Sequence, residues 1–86
     1  MKKKEREITS QQFKFLCNIN SNSGKHNFSI NSLGRQFFST DRNVYLVIYD
    51  FFDKGLVTIE KGKKELRVNI TTKGIKYIQD NYKDYV

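Results

Sequence analysis

The sequence lacks several residue types on which chemical sites usually depend. It has no tryptophan and no proline, and only one cysteine and one histidine among 86 residues. The single cysteine, Cys17, excludes an internal disulfide and a metal site built from several cysteines. Because Cys17 lies among Phe13, Leu16 and Ile19, we expect a buried thiol that packs as a small hydrophobe. His26 stands in a polar Gly-Lys-His-Asn stretch with no evident partner, so we expect a surface side chain.

Catalytic and cofactor motifs are also missing. The five glycines are dispersed and match neither the Walker nor the dinucleotide-binding spacing. Asp50 and Asp53 are close in sequence, yet no neighbouring residue completes an acid–base or metal site with them. We therefore predict that the protein is not an enzyme and that it binds no cofactor and no metal ion.

Long apolar segments are absent as well. No apolar run approaches the ~20 residues that a helix needs to cross a bilayer, and the charged start MKKKERE is not followed by the apolar part of a secretory signal. We expect a cytoplasmic protein with no membrane partner. No linker divides the chain, which predicts a basic tail over residues 1–8 and one domain over residues 9–86. Abundant Lys, Asn and Ile without proline are typical of an AT-rich genome, such as that of a virus or a plasmid.

What the sequence does have is an excess of positive charge. Sixteen Lys and Arg residues stand against nine Asp and Glu residues, which gives a formal net charge of +7 at pH 7. Such a balance favours a polyanionic partner, with nucleic acid ahead of an anionic membrane surface. Positive charge can also serve only to keep a protein soluble, so charge alone does not decide the function.

The pattern predicts a first helix that starts at a capping box. Thr9 is a good N-cap and Gln12 follows at the required spacing, while Ile8 and Phe13 are placed to form a hydrophobic staple. Apolar residues then continue at helical spacing. The helix is expected to end in the turn-forming residues 20–24.

Two further helices are predicted from residue 30 onward. After a short extended piece over 27–29, apolar residues at three- and four-residue steps indicate a helix over about 30–38. Thr40 can cap a third helix over 41–54, and Gly55 follows as its left-handed C-terminal stop.

The last third of the chain predicts a hairpin and a final helix. Alternating residues over 56–61 and 65–70 indicate two strands, with a turn over 62–64 between them. In the second strand, the residues expected to face the core are Leu66, Val68 and Ile70. Thr72 is predicted to cap a C-terminal helix over about 73–85. The apolar stripe of that helix consists of Ile75, Ile78, Tyr82 and Tyr85.

This order of elements predicts an α+β protein, and two segments resemble a known family. LGRQFFSTDRNVYLVIYDFFDKGLV, residues 33–57, resembles the helix-turn-helix of MarR-like and PadR-like transcriptional regulators, with Thr40 at the cap of the recognition helix. ITTKGIKYI, residues 70–78, is similar to the stretch with which such regulators leave the wing and begin a further helix. The resemblance implies a winged helix: a three-helix helix-turn-helix core, a two-stranded β-hairpin wing and an additional C-terminal helix. The sequence departs from the family at Phe37 and Phe38, where a leucine and a glycine are usual, and this departure bears on the tilt of the third helix.

The predicted third helix has two different faces. At about 100° per residue, its inner side collects Val44, Val47, Ile48 and Phe51, and its outer side collects Arg42, Leu46, Tyr49 and Asp53. A helix that enters the major groove reads bases mainly from its N-terminal half. Arg42 suits the edge of guanine and Asn43 suits that of adenine. Tyr45 and Tyr49 can reach phosphate or sugar through their hydroxyl groups.

A basic cluster marks the predicted hairpin. Its members are Lys61, Lys63, Lys64 and Arg67, and they stand against Glu60 and Glu65. Such a cluster suits contacts with DNA phosphates, and a solvated basic turn is the alternative. Arg35 on the second helix is a further candidate for a contact with the phosphate backbone of DNA. The full set of residues predicted to contact DNA is Arg35, Thr40, Arg42, Asn43, Tyr45, Tyr49, Lys61, Lys63, Lys64 and Arg67.

Together these features favour a protein that binds double-stranded DNA and regulates transcription at preferred sequences. Two alternatives stay open. One is a protein-interaction module that uses Tyr45, Leu46 and Tyr49, and the other is an architectural DNA binder with little sequence preference. The C-terminal stripe either packs onto its own core or pairs with a second copy, and the resemblance implies a homodimer formed through terminal helices. A two-fold dimer would place its recognition helices about 34–36 Å apart, one turn of DNA.

Overall fold

The computed structural model describes residues 8–22, 29–62 and 66–85 of the chain. Along these residues the elements are α1 (Ser10–Asn22), α2 (Ile30–Arg35), α3 (Asp41–Asp53), β1 (Val57–Lys61), β2 (Leu66–Ile70) and α4 (Thr72–Tyr85). The described part of the chain thus contains four helices and one two-stranded antiparallel sheet, in the predicted order. The predicted α+β class is confirmed.

α1 begins at the predicted capping box. The backbone N–H of Thr9 donates to Oε1 of Gln12 at 3.0 Å, and the N–H of Gln12 donates to Oγ1 of Thr9 at 3.1 Å. Cys17 is half-buried against the core, and this burial raises the pKa of its thiol. Phe15 is fully buried although it was not among the expected core residues. The buried side chains of α1 are Phe13, Phe15, Leu16 and Ile19.

α2 is shorter than the predicted helix over 30–38. The hydroxyl oxygen of Ser29 accepts from the N–H of Ser32 at 3.2 Å and caps the start of α2, and Arg35 is its last residue. The predicted end at residue 38 was wrong, because the residues that follow Arg35 fold into a turn.

Two aromatic side chains account for that turn. The N–H groups of Phe37 and Phe38 both donate to the carbonyl of Gly34 at 2.9 Å. Their rings lie 6.0 and 5.6 Å from the ring of Phe15, which also lies 6.1 Å from the ring of Phe51 on α3. Tilted and edge-on ring pairs at such distances stabilise a core beyond their buried area. Packing these rings against α1 therefore competes with a further turn of α2.

α3 lies at the centre of the core. Oγ1 of Thr40 accepts from the N–H of Asn43 at 3.1 Å, which confirms the predicted cap. The predicted inner face is at most 6% exposed, and it consists of Val44, Val47, Ile48 and Phe51. On α2, Gly34 packs directly on Val44, so closely that a Cβ at position 34 would lie 2.5 Å from Cγ1 of Val44. The missing side chain at Gly34 is what lets α2 and α3 come together.

The end of α3 leads directly into the sheet. α3 ends at Asp53, one residue earlier than predicted, and Gly55 takes a φ of 80°, as expected for a left-handed stop. β1 and β2 pair antiparallel, from Val57 opposite Ile70 to Lys61 opposite Leu66.

β1 begins one residue later than predicted. Leu56 precedes β1 and is buried, and its N–H donates to the carbonyl of Phe51 at 2.9 Å, so it closes α3 rather than extending the sheet. Glu65 lies outside the described residues, as do Lys63 and Lys64 of the predicted turn. Of the three residues expected to face the core, Val68 is buried, whereas Leu66 and Ile70 are half-buried.

The sequence predicted Thr72 as the cap of α4, but the structure shows that Thr71 caps it. Oγ1 of Thr71 accepts from the N–H of Gly74 at 2.9 Å, and the same hydroxyl donates to the carbonyl of Gly55 at 2.7 Å. Thr72 is instead the first, exposed residue of the helix. Both threonines suit a cap in sequence, and the tertiary bond to Gly55 decides between them.

α4 is attached to the rest of the protein near both of its ends. At its start, Gly74 packs against Leu56 so closely that an added Cβ would collide with the carbonyl oxygen of Leu56. At its end, the ring of Tyr85 stacks on the ring of Phe13 with a centroid distance of 4.1 Å. The Tyr85 hydroxyl also donates to the carbonyl of Ile8 at 2.8 Å.

Ile8 belongs to the folded domain and not to a tail. Its side chain is 3% exposed and shares one core with Phe13, as the predicted hydrophobic staple requires. The predicted boundary between tail and domain is therefore corrected: the domain includes Ile8. Residues 1–7, the remainder of the predicted tail, lie outside the described residues.

Candidate nucleic-acid interface

The outer face of α3 is a surface that no described residue covers. Leu46 is 57% exposed and Tyr49 is 48% exposed, whereas the opposite side of the same helix is buried. The residues of this outer face are Arg42, Leu46, Tyr49 and Asp53, and all four are exposed, as predicted. Large exposed apolar side chains next to charged ones are typical of a surface that binds a partner.

The N-terminal end of this face carries the two residues predicted to read bases. The side chains of Arg42 and Asn43 are both exposed. Within the described ranges, Arg42 has no ion-pair partner, because the neighbouring Asp41 is paired with Arg35 at 3.4 Å. The cap formed by Thr40 uses the backbone N–H of Asn43 and leaves the Asn43 side chain toward solvent. Both side chains are therefore available to an incoming ligand.

Arg35, predicted to contact the DNA backbone, lies beside the start of α3. Its guanidinium and the carboxylate of Asp41 are both about half exposed. An exposed ion pair of this kind contributes roughly 0–1 kcal/mol, so it holds Arg35 only weakly. The structure thus brings Arg35 next to Asp41, the first residue of α3, at the end of the helix that carries Arg42.

Tyr45 does not lie on the outer face. It is half-buried against the core, and its hydroxyl donates to Oδ1 of Asn31 on α2 at 2.9 Å. The hydroxyl that was predicted to reach phosphate or sugar thus bonds within the protein and connects α3 to α2. Asn31 was missed in the sequence, where nothing relates it to a tyrosine fourteen residues away.

The C-terminal end of α3 is acidic. Lys54 pairs with both carboxylate oxygens of Asp50 at 2.8 Å, which leaves Asp53 exposed at the end of the outer face and without an ion pair among the described residues. Charge along the outer face thus runs from Arg42 at the start of the helix to Asp53 at its end. A polyanion would approach the Arg42 end and be repelled from the Asp53 end.

The sheet contributes the second group of candidate residues. Lys61 and Arg67 are both exposed, and they lie on neighbouring strands next to the predicted turn. Arg67 stands directly opposite Glu60 in the sheet register, so an acidic group lies beside this cation. Lys63 and Lys64, the other two residues of the predicted basic cluster, lie outside the described residues.

The four residues of α4 predicted to form a dimer differ in their exposure. Ile75 is 37% exposed and Tyr82 is 51% exposed, so both are open to solvent on α4. Ile78 and Tyr85 pack instead against the core of their own chain. Of the four residues predicted to dimerise, the structure thus leaves Ile75 and Tyr82 exposed, whereas Ile78 and Tyr85 contact their own core.

Phe52 is an exposed aromatic residue that the sequence reasoning did not single out. Its side chain is about half exposed at the end of α3. It stands about 120° around the helix from Leu46, on the same side as Tyr45. Its position one residue after the buried Phe51 is the signal that could have identified it, since adjacent helical residues diverge by about 100°.

Two other features are absent from the described ranges. They contain no group of three or more His, Cys, Asp or Glu residues that could hold a metal ion. None of the helices within them is long and apolar enough to cross a membrane.

Comparison with known proteins relates the chain to others through its fold. No protein-family model matches the sequence, and none of the curated proteins matches it in sequence. Among solved structures, the crystal structure of AF1382 from Archaeoglobus fulgidus is similar, with a TM-score of 0.74 over 90% of this chain and 86% of that one. The two sequences are 22% identical over this match. At that level of identity the likeness concerns the fold alone.

Proposed function

We propose that this protein is a winged-helix protein that binds double-stranded DNA at preferred sequences and regulates transcription. In this proposal α3 is the recognition helix and enters the major groove, while the β1–β2 hairpin is the wing and contacts the phosphate backbone. The order of three helices, a two-stranded hairpin and a final helix is the order of winged-helix domains, and it supports the assignment.

One observation carries the proposal. Arg42 and Asn43 project into solvent at the start of a helix whose opposite face is buried in the core. Arginine and asparagine are the side chains best suited to pair with the major-groove edges of guanine and adenine. A recognition helix needs them at its N-terminal half, which is where they stand.

Electrostatics supports the same arrangement. The chain has a net charge of +7, and within the hairpin Lys61 and Arg67 are exposed beside the basic residues Lys63 and Lys64 of the sequence. Each phosphate that these side chains neutralise is expected to steepen the salt dependence of binding by about 0.9 in log–log slope.

Fluorescence anisotropy of a labelled random-sequence duplex across a salt series tests the proposal. We expect binding at low salt whose affinity falls steeply as salt is added. Enrichment of a shared motif from a random duplex library identifies sequence preference. A steep salt slope without any enriched motif indicates an architectural binder instead, and no binding even at low salt contradicts the proposal altogether.

Two variants separate contacts with the bases from contacts with the phosphate backbone of DNA. Arg42→Ala is expected to relax discrimination at one base position at a cost of about 1–3 kcal/mol. The double variant Lys61→Glu with Arg67→Glu is expected to weaken binding to all duplexes alike and to flatten the salt slope. Equal, sequence-independent losses from both would contradict the division of roles between α3 and the hairpin.

A protein partner for the outer face of α3 is the second candidate function. The observation that favours it is the exposure of Leu46 and Tyr49, which are apolar and uncharged in the middle of that face. Under this alternative, the protein fails to bind DNA at any salt concentration. The anisotropy series therefore decides between the two functions.

We propose in addition that the protein acts as a homodimer joined through α4. Ile75 and Tyr82 are one heptad apart and remain exposed on one side of that helix. Sedimentation of the free protein is expected to give a dimer, and Ile75→Lys with Tyr82→Lys is expected to give a monomer. Sedimentation of the unaltered protein as a monomer contradicts this part of the proposal.

A further inference from the structure

The middle of the outer face of α3 is apolar, and we propose that it recognises the C5-methyl groups of thymine in the major groove. The inference rests on the proposed function, since it assigns a ligand to the helix that is proposed to enter the groove. It concerns Leu46 first and Tyr49 second.

The geometry places these two side chains between the charged ends of the face. Leu46 lies one helical turn beyond Arg42, about 6 Å further along the axis, and Tyr49 lies just beyond Leu46. Both are open to solvent, at 57% and 48% exposure. A ligand held by Arg42 at the start of α3 therefore meets an apolar surface next.

The chemistry of the groove limits what such a surface can bind. The major-groove edges of the base pairs present hydrogen-bond donors, acceptors and one apolar group, the C5-methyl of thymine. Leu46 has no polar atom in its side chain and cannot pair with a donor or an acceptor. Against DNA, its favourable contact is with a thymine methyl, and the ring of Tyr49 offers a second apolar surface.

Charge argues for DNA over an apolar protein partner. Arg42 is exposed on the same face and unpaired within the described ranges, and the whole chain carries a net charge of +7. A polyanion satisfies this arginine while an apolar protein surface does not. The apolar residues thus lie between Arg42, which attracts a polyanion, and Asp53, which repels one, so the Arg42 end of the face is the end that suits a groove.

Replacement of thymine by uracil isolates the methyl group. A duplex enriched from a random library would be synthesised twice, once with thymine and once with uracil at every thymine position, and its affinity measured by fluorescence anisotropy. Base pairing is the same in both. Because burial of one methyl group corresponds to roughly a fourfold change in affinity, the uracil duplex is expected to bind at least fourfold more weakly.

Two protein variants assign the effect to a side chain. Leu46→Ala removes the proposed contact from an exposed helical position, so the fold is expected to remain intact. This variant should bind the thymine and uracil duplexes within about twofold of each other, since the coupling is lost when either partner is removed. Phe52→Ala is the matched control, because it also truncates a half-exposed apolar residue of α3 but lies on another side of the helix. It should keep the full preference for thymine.

The outcomes separate the inference from the function on which it rests. Equal affinity of the unaltered protein for both duplexes overturns the inference and leaves DNA binding in place. A thymine preference that survives Leu46→Ala overturns it too, because the methyl groups are then sensed elsewhere. If no duplex is enriched or bound at any salt concentration, the proposed function and the inference fall together.

Discussion

The last two helices of the chain, α3 and α4, are nearly equal in length and differ in how they contact the rest of the protein. α3 has 13 residues and buries four large side chains, whereas α4 has 14 residues and buries only Gly74 completely. α4 is attached near its ends, by Gly74 and the Thr71 cap on one side and by the stacked ring of Tyr85 on the other.

This difference shows how one helix can serve both as structure and as binding surface. Since the inner face of α3 supplies its attachment, the residues of its outer face are free to vary without loss of the fold. α4 has no such division, because half-buried Tyr77 and Ile78 contact the core between its two attached ends, and the exposed Ile75 and Tyr82 alternate with half-buried residues. Substitutions should therefore affect the two helices in different ways.

The largest effect is expected from the inner face of α3. Phe51→Ala removes a fully buried ring that also contacts Phe15, and we expect a loss of about 3–5 kcal/mol in the free energy of unfolding. On α4, Tyr82→Ala truncates a ring that is exposed in the single chain, so it should change the stability of the monomer by less than about 0.5 kcal/mol. Urea unfolding measures both. A similar loss in the two variants would remove the distinction between the helices.

A smaller effect on stability is expected where Gly74 of α4 packs against the backbone of Leu56. Gly74→Ala introduces a Cβ that collides with the carbonyl oxygen of Leu56, and a backbone atom has little room to move. We expect a loss of about 1–3 kcal/mol as α4 shifts outward. Thr72→Ala, at an exposed position of the same helical turn, is the control and should be close to neutral. Unchanged stability of Gly74→Ala would mean that α4 tolerates displacement at its start.

The caps of the two helices give a finer comparison. Thr40 makes one capping bond to the N–H of Asn43, while the hydroxyl of Thr71 both caps α4 and donates to the carbonyl of Gly55. Thr40→Ala is expected to lower the free energy of unfolding by about 1 kcal/mol. Thr71→Ala should lower it by about 2 kcal/mol, because a second bond is lost. Thermal unfolding of the two variants side by side tests the order, and the reverse order would contradict it.

An effect of similar or smaller size should come from the end of α4. Tyr85→Phe keeps the ring that stacks on Phe13 and removes the hydroxyl that donates to the carbonyl of Ile8. We expect a loss of about 0.5–1.5 kcal/mol. Amide hydrogen exchange should quicken in the last turn of α4 while α3 stays protected, since the variant loosens one end of one helix. Faster exchange throughout α3 would show that the two helices open together.

Local signals in the sequence predicted much of this fold. The capping box at Thr9 and Gln12, the cap at Thr40 and the stop at Gly55 each depend on residues a few positions apart, and each is present in the structure. The inner and outer faces of α3 follow from the helical spacing of its apolar residues alone. The exposure of Arg42 and Asn43 could therefore be predicted as well.

Contacts between distant residues could not be predicted in this way. The turn after α2 is shaped by the packing of Phe37 and Phe38 on Phe15, which no local pattern encodes. Tyr45 was assigned to the DNA surface because its helical position lies at the border of the two faces, and its bond to Asn31, fourteen residues away, could not be read from the sequence. Tyr85 likewise reaches Ile8 across almost the whole chain.

The junction after α3 joins the two helices through very few atoms. The carbonyl of Leu56 accepts from the N–H of Thr71 at 3.0 Å and also lies against Gly74, while the Thr71 hydroxyl holds the carbonyl of Gly55. The end of α3 and the start of α4 therefore meet at the carbonyl groups of two neighbouring residues, Gly55 and Leu56. Because these bonds join the residues after α3 directly to the start of α4, a displacement of α4 would first strain the backbone at the end of α3.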